Sequence, residues 1–281
     1  PTKKSTPMTG NNSARPPLAG LAADQILETL LAAAAAAARE TLPRFRSPLA
    51  VENKLAGGFD PVTEADKQAE IAVRDLIAAR FPDHGLIGEE WDPKLSDNPC
   101  QWIIDPIDGT RAFISGVPVW GTLIGFMVDG RAQAGLMAQP FTGETYVGLP
   151  GRSIYRRGVE EIVLRTSAVT DIGRAKLSTT TPDLFAQTGT QRPWDALRAQ
   201  VLQTRYGLDC YAYCLLAAGH IDLIVEPGLK NVDIAPLVPI IENAGGIVTT
   251  WEGGAPEEGG NCIAAATPDL HAAAMAVLRA A

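Results

Sequence analysis

Trp102-Ile103-Ile104-Asp105-Pro106-Ile107-Asp108-Gly109-Thr110 is the stretch on which the reading of this 281-residue chain turns. Its start, Gln101 to Ile104, has the apolar composition of a short buried strand running into Asp105. Pro106 brings no backbone donor, so regular pairing is expected to fail after Asp105 and the chain to turn. If a helix follows from Thr110 to Ile114, then Asp108, Gly109 and Thr110 form its opening turn. Free backbone N–H groups and the positive dipole end suit a phosphate there, and Gly109 lets the ligand approach the backbone. Two carboxylates three residues apart, with no Lys or Arg immediately beside them, are hard oxygen ligands suited to Mg²⁺ rather than to soft metals.

Acids also end the segments around this stretch. Gly85 to Gly88 reads as a short strand delivering Glu89 and Glu90. Asp66 lies in Val62-Thr63-Glu64-Ala65-Asp66, at the start of a helix expected from about Glu64 to Arg80. Asp233 lies in Asn231-Val232-Asp233-Ile234, just before a helix expected from Ile234 to Ala244. Taken singly, each reads equally well as a turn residue, a cap or a first-turn acid. Their recurrence at element ends is what points to one site.

The remaining pattern sets the fold class. An Ala- and Leu-rich helix is expected from Asp24 to Leu42, ended by Pro43, followed by a loop from Asn53 to Pro61 that contains Gly57-Gly58. Val119 to Val128, Ala132 to Ala138 and Thr145 to Leu149 read as an antiparallel meander, with Asp129-Gly130 as a hairpin signal. The second half alternates. Strands are expected at Lys176 to Thr180, Ile221 to Val225, Ile247 to Thr250 and Cys262 to Ala265. Helices are expected at Asp183 to Gln187, near Asp195 to Gln203, at Asp209 to Ala218 and at Pro268 to Ala280. The sum is a layered α+β architecture in a single domain over 18–281, with an antiparallel half to about 150 and an α/β half from about 151. Residues 1–17, polar and proline-bearing, read as a disordered extension.

Composition narrows the function. With 46% hydrophobic and 20% charged residues the chain is an ordinary globular one, long enough to build its core without disulfides. Its net charge of −8 argues against nucleic acid as a partner, since that affinity comes from Lys and Arg displacing counterions. The longest apolar run, Leu30 to Ala38, falls short of the roughly 20 residues of a membrane span, so no membrane partner is expected. Cys100, Cys210, Cys214 and Cys262 lack zinc spacing and read as buried reduced thiols, in keeping with a cytoplasmic setting. The residues six positions after them are Pro106, Leu216, His220 and Pro268, so the Cys-to-Arg spacing of a cysteine phosphatase is absent. The Asp105 to Asp108 spacing is likewise not the alternating pair of an aspartyl-phosphate enzyme.

In order along the chain, these blocks resemble the inositol monophosphatase superfamily of Mg²⁺-dependent, lithium-sensitive phosphomonoesterases, from about Asp24 to the C-terminus. The resemblance implies an α-β-α-β-α sandwich of the inositol monophosphatase and fructose-1,6-bisphosphatase type, a small phosphorylated substrate, two or three Mg²⁺ per site and a homodimer. It implies a metal shell of Glu89, Asp105, the Ile107 carbonyl, Asp108 and Asp233. Asp66 and Thr110, with Glu89 beside them, become the catalytic group that orients and deprotonates water, and Asp108, Gly109 and Thr110 hold phosphate. Lys54 resembles the family's mobile-loop lysine. The chemistry agrees, because a poor alkoxide leaving group needs metal-borne charge neutralisation and an activated water, and no covalent enzyme nucleophile.

Within the superfamily, Asp108-Gly109-Thr110-Arg111 and Gly207-Leu208-Asp209-Cys210 through His220 to Glu226 look like the histidinol-phosphate phosphatase branch. Asp209 and Glu226 would then flank the alcohol moiety, where acids suit the ammonium and imidazole of histidinol better than a neutral cyclitol; Glu226 also occurs in inositol enzymes, so Asp209 is the discriminating residue, and it also reads as a helix N-cap before Cys210. Arg111 reads as either a phosphate contact or a surface ion-pair partner. The expected activity is hydrolysis of L-histidinol phosphate in histidine biosynthesis, with inositol-1-phosphate or a sugar phosphate as the alternative. A non-catalytic regulatory protein on the same fold would have no reason to keep five carboxylates with Thr110.

Overall fold

Five alternating layers stack through the protein, with each of the two large sheets lying between helical layers. The computed structural model describes residues 18–48, 50–53 and 61–281. α1 (Ala23–Thr41) is followed by a two-stranded ribbon of β1 (Val51–Asn53) and β2 (Pro61–Thr63), and then by α2 (Glu64–Arg80). β3 (Gly85–Gly88) and β4 (Cys100–Asp108) lead to α3 (Thr110–Ile114). β5 (Gly121–Val128), β6 (Arg131–Gln139), β7 (Glu144–Leu149), β8 (Arg152–Arg157) and β9 (Glu160–Val163) complete a seven-stranded sheet in the order β3 to β9. Its strands are antiparallel except for the β3/β4 pair.

β10 (Lys176–Thr179), α4 (Asp183–Gln187), α5 (Gln191–Arg198), β11 (Gln203–Tyr206) and α6 (Asp209–Ala217) open the second half. β12 (Leu223–Leu229), α7 (Asn231–Ile234), α8 (Val238–Glu242), β13 (Ile247–Thr250), β14 (Gly260–Ala265) and α9 (Pro268–Ala280) close it. The second sheet runs β11-β10-β12-β14-β13.

Alternation along the strands distributes the core, with a register shift in the β5/β6 pair the exception. From β4 and β5, Trp102, Ile104, Ile124 and Phe126 face Ile26, Leu30, Val73 and Ile77 of α1 and α2. Leu123, Met137 and Tyr146 point the other way, into the layer that holds α6 and α8. Every residue of β5 is buried, because a strand covered on both faces carries no polar-out positions. The second sheet faces the same middle layer with Ile224, Val248 and Ala264, and faces α5 and α9 with Leu177, Leu223, Val225 and Ile263. The expected α-β-α-β-α sandwich is what the chain forms. Among the described residues no helix is long and apolar enough to cross a membrane.

Local expectations needed four corrections. The strand through Asp105 continues to Asp108, with a shift of register between Asp105↔Leu123 and Asp108↔Gly121 absorbing Pro106 instead of ending the pairing. The meander gains β8 and β9, whose charged sequences do not alternate and so carry little strand signal. Gln203 to Tyr206 is a strand rather than the end of a helix, because β10 pairs with it in parallel. The helix expected from Ile234 to Ala244 is two, α7 and α8, because Pro236 removes a helical donor.

Candidate active site

The end of β4 supplies the first two carboxylates. Asp105 Oδ1 accepts the Ile107 N–H at 3.0 Å, and the Thr110 hydroxyl donates to the Ile107 carbonyl at 3.1 Å, so the segment folds back on itself. Asp108 Oδ2 accepts the Cys210 N–H at 2.7 Å, from the first turn of α6. Asp233 arrives on α7, where its Oδ2 accepts the Lys230 N–H at 2.8 Å and closes the first turn. Oxygens from Asp105, Asp108 and Asp233 lie within 4.8 Å of one another. Burial lifts Asp105 and Asp108 well above the usual carboxylate range; the next contributions are Glu89 and Asp108 for the first, Asp233 and Asp209 for the second. A cluster of this kind stays ionised only with a cation among its oxygens.

Glu89 sits in the turn after β3 and its Oε1 meets Lys230 Nζ at 2.9 Å. That turn is clamped from α2 by Glu70 and Arg74. The buried Glu70 accepts the Glu90 N–H on Oε2 at 2.7 Å and pairs through Oε1 with Arg74 Nε at 2.7 Å. Arg74 in turn donates to the carbonyls of Trp91 at 2.9 Å and Asp92 at 3.1 Å. A Cβ at Gly88 would fall 1.8 Å from Glu70 Oε1, so the clamp requires glycine there.

Asp66, buried beside Glu89 and Asp105, closes the first turn of α2 by accepting the Thr63 N–H at 2.8 Å and the Thr63 hydroxyl at 2.6 Å, both on Oδ2. Its Oδ1 is buried with no hydrogen-bond partner among the described residues. Burial raises Asp66 to about 6 against the hydrogen bonds from Thr63, with Glu89 adding to the rise. An orphaned acceptor beside crowded acids fits water or a hydrated cation.

Across a cavity of about 420 Å³ stands a second acidic wall. Glu226, buried on β12, accepts the Thr180 N–H at 2.6 Å and the hydroxyls of Thr180 at 2.9 Å and Thr179 at 3.2 Å. Burial still pushes it up to about 7. Asp209 opens α6 at φ +46°, a left-handed conformation that costs a non-glycine residue on the order of 1 kcal/mol. Its carboxylate lies over Gly109: a Cβ on Gly109 would meet Asp209 Cγ at 3.1 Å, and Gly109 itself has φ +82°. Burial raises Asp209 to about 6, opposed by the nearby Arg111.

The cavity therefore gathers Glu89, Asp105, Ile107, Asp108, Gly109, Thr110, Arg111, Asp209, Glu226 and Asp233 on its lining, with Asp66 buried next to Glu89 and Asp105. Lys54 and residues 1–17 lie outside the described residues. Sequence reading passed over Glu70, Arg74, Thr179, Thr180, Cys210 and Lys230. The i, i+4 spacing of Glu70 and Arg74 was a usable signal, but nothing local said which turn the pair would grip. All four cysteines are free and buried, as expected. No histidine joins the acidic cluster: His84 accepts from Trp102 Nε1, His271 meets the Thr249 hydroxyl, and His220 is exposed.

The sequence profile of the inositol monophosphatase family matches residues 22–281. A bifunctional phosphatase, IMPL2, chloroplastic, of Arabidopsis thaliana is 39% identical over 77% of the chain; the match spans 65% of that protein, less than two thirds of its length. A histidinol-phosphatase of Chlorobaculum parvum is 38% identical over 69% of the chain and 73% of its own length. Among solved structures, an inositol monophosphatase from Zymomonas mobilis superposes with a TM-score of 0.81 at 36% identity, covering 92% of this chain and 99% of that one.

Proposed function

The chain belongs to the inositol monophosphatase family and is a phosphomonoesterase, and we propose that its substrate is L-histidinol phosphate, hydrolysed to L-histidinol and phosphate in a Mg²⁺-dependent reaction. One observation carries this reading: Asp209 and Glu226 face the same cavity as Asp105, Asp108 and Asp233. A phosphate dianion bound at the crowded carboxylates leaves its alcohol portion against the second acidic wall. Acids there favour a cationic alcohol over a neutral cyclitol. The histidinol-phosphatase among the relatives supports the same choice.

The donor set of Asp105, Asp108, Asp233, Glu89 and the Ile107 carbonyl is all oxygen and mostly anionic, which fits two or three Mg²⁺ ions. When bound, Mg²⁺ neutralises the phosphate and lowers the pKa of water. The protein's own groups do the rest. N–H groups of Gly109 and Thr110 at the start of α3 donate to phosphate oxygens. The Thr110 hydroxyl, tethered to the Ile107 carbonyl, offers its lone pairs to the attacking water. Asp66, held near 6 and fixed by Thr63, takes up the proton. Glu226, gripped by Thr179 and Thr180, and Asp209 hold the ammonium and imidazole of the leaving alcohol.

Phosphate release at saturating Mg²⁺ tests this. L-histidinol phosphate should exceed inositol-1-phosphate by about tenfold or more in kcat/KM. Equal or reversed preference rejects the histidinol assignment in favour of a cyclitol or sugar phosphate.

A further inference from the structure

Gly125, Gly135 and Gly148 stand in one row across β5, β6 and β7, since Gly125 pairs with Gly135 and Gly135 with Gly148. None of the three has a positive φ, so none is needed for an unusual backbone conformation. Glycine inside a strand gives up packing and entropy, and the compensation here is the missing Cβ. A Cβ on Gly135 would fall 1.8 Å from the Pro236 carbonyl oxygen. One on Gly148 would fall 2.2 Å from the Pro239 carbonyl carbon and 2.3 Å from the Ile240 nitrogen. One on Gly125 would meet Ile103 Cγ2 at 2.7 Å and Pro236 Cα at 3.3 Å. The row is a trench in the large sheet, and the backbone from Pro236 to Ile240 lies in it.

That backbone is the continuation of the turn that carries Asp233. α7 ends at Ile234, and its Val232, with the following Ala235, packs on Ile103 and Met127 of β4 and β5. Proline at 236 and 239 fixes φ at both points where the chain touches the glycines, which makes the segment a stiff arm. The trench and the other two carboxylates share a frame. Gly125 pairs with Ile103, two residues before Asp105 on β4, and β4 continues to Asp108. Depth of the arm in the trench therefore fixes how close Asp233 comes to Asp105 and Asp108.

We propose that Gly125, Gly135 and Gly148 are positioning residues, a track that seats the Pro236–Ile240 backbone and thereby sets the separation of Asp233 from Asp105 and Asp108. This rests on the reading of those three carboxylates as metal ligands. A methyl group on Gly135 or Gly148 pushes the arm outward by about 1 Å or more to restore a contact of about 3.5 Å, whereas one on Gly125, already 3.3 Å from Pro236 Cα, asks the arm for only a few tenths of an ångström. The carboxylates then spread beyond the 4.8 Å within which they now gather.

Mn²⁺ alone is the probe, titrated by electron paramagnetic resonance into the purified full chain, with melting temperature in EDTA measured on the same samples. The variants are Gly135→Ala, Gly125→Ala and Leu278→Ala, the last in the α9 core away from the cluster. Gly135→Ala should weaken Mn²⁺ binding by about tenfold or more and Gly125→Ala in the same direction by a smaller factor, whereas Leu278→Ala should lose melting temperature and keep wild-type affinity. Should Gly135→Ala fail to fold, Gly125→Ala decides, because its methyl still crowds Pro236 Cα at 3.3 Å but asks the backbone to give by only a few tenths of an ångström. Glycine variants that melt lower yet bind Mn²⁺ as the wild type does overturn the track and leave the metal reading standing. A wild-type protein that binds no Mn²⁺ overturns the metal reading itself, and the track with it.

Discussion

The two walls of the cavity are both acidic, but the protein completes them in different ways. Glu226 is surrounded by donors, taking one N–H and two hydroxyl groups from Thr179 and Thr180. Asp105 takes the N–H of Ile107, and its other neighbours are Glu89, Asp108, Asp233 and Asp66, all of them acids. Around Glu226 the fold has supplied the partners that a buried carboxylate needs. On the Asp105 wall it has concentrated acids, whose mutual repulsion a cation among them would offset. A buried acid thus marks a cation site by the company of other acids, and a positioned hydrogen-bonding surface by the company of donors.

Removing one acid from the crowded wall should have the largest effect. Asp105→Asn should cut kcat/KM for L-histidinol phosphate by about 10³-fold or more, while raising the melting temperature in EDTA because it relieves repulsion among buried like charges. Retained Mg²⁺-dependent activity, or a lower melting temperature in EDTA, would erase the distinction between the walls. On the other side, Asp209→Ala should cost L-histidinol phosphate roughly 30-fold in kcat/KM, the scale for truncating one member of a desolvated charge pair. p-Nitrophenyl phosphate, which has no cation to place, should change only a few-fold. Equal losses on both esters would assign Asp209 to the architecture of α6 instead of to substrate.

A smaller effect is expected from the clamp behind Glu89. Glu70→Gln keeps the shape but weakens the grip on Arg74 and on the turn, and should weaken metal binding by about tenfold with kcat at saturating metal little changed. A fall in kcat with unchanged metal affinity would place Glu70 outside the crowded wall. The smallest effect concerns pH. Burial holds Glu226 at about 7 against an ordinary 4.5, so between those values the native state keeps a proton that the unfolded chain has released. Its contribution to stability is complete below about pH 4.5 and is lost as pH rises through 7. Glu226→Gln should therefore flatten the drop in melting temperature between pH 5 and 8 in EDTA, by about 3 °C for a protein of this size. An unchanged slope would mean that Glu226 does not titrate in the native protein.

How much of this was legible in advance follows from the distance over which each signal acts. Thr63 and Asp66 form a capping pair within one turn, and α2 ends where the Phe81-Pro82 step stops it, so its range could be read to the residue. The same is true of α3, whose start is fixed by Gly109. β8, β9 and β11 escaped because their residues are half charged in β8 and β9 and mostly polar in β11, and their strand state comes from the neighbour they pair with. Thr180 gave no sign of its role, since its acceptor lies 46 residues further along the chain.

The sequence alone determined which carboxylates the protein owns, the turns in which they sit and the layered fold that follows from its periodicity, because those are matters of spacing, capping and alternation within a few residues. Only the tertiary structure decided that Asp233 meets Asp105 and Asp108, that Asp209 covers Gly109, and that Glu70 grips the turn before Glu89's neighbour. Those meetings depend on how deeply one layer beds into the next. That depth is set by close packing between segments more than a hundred residues apart, such as Gly135 and Pro236, where a single methyl group makes the difference.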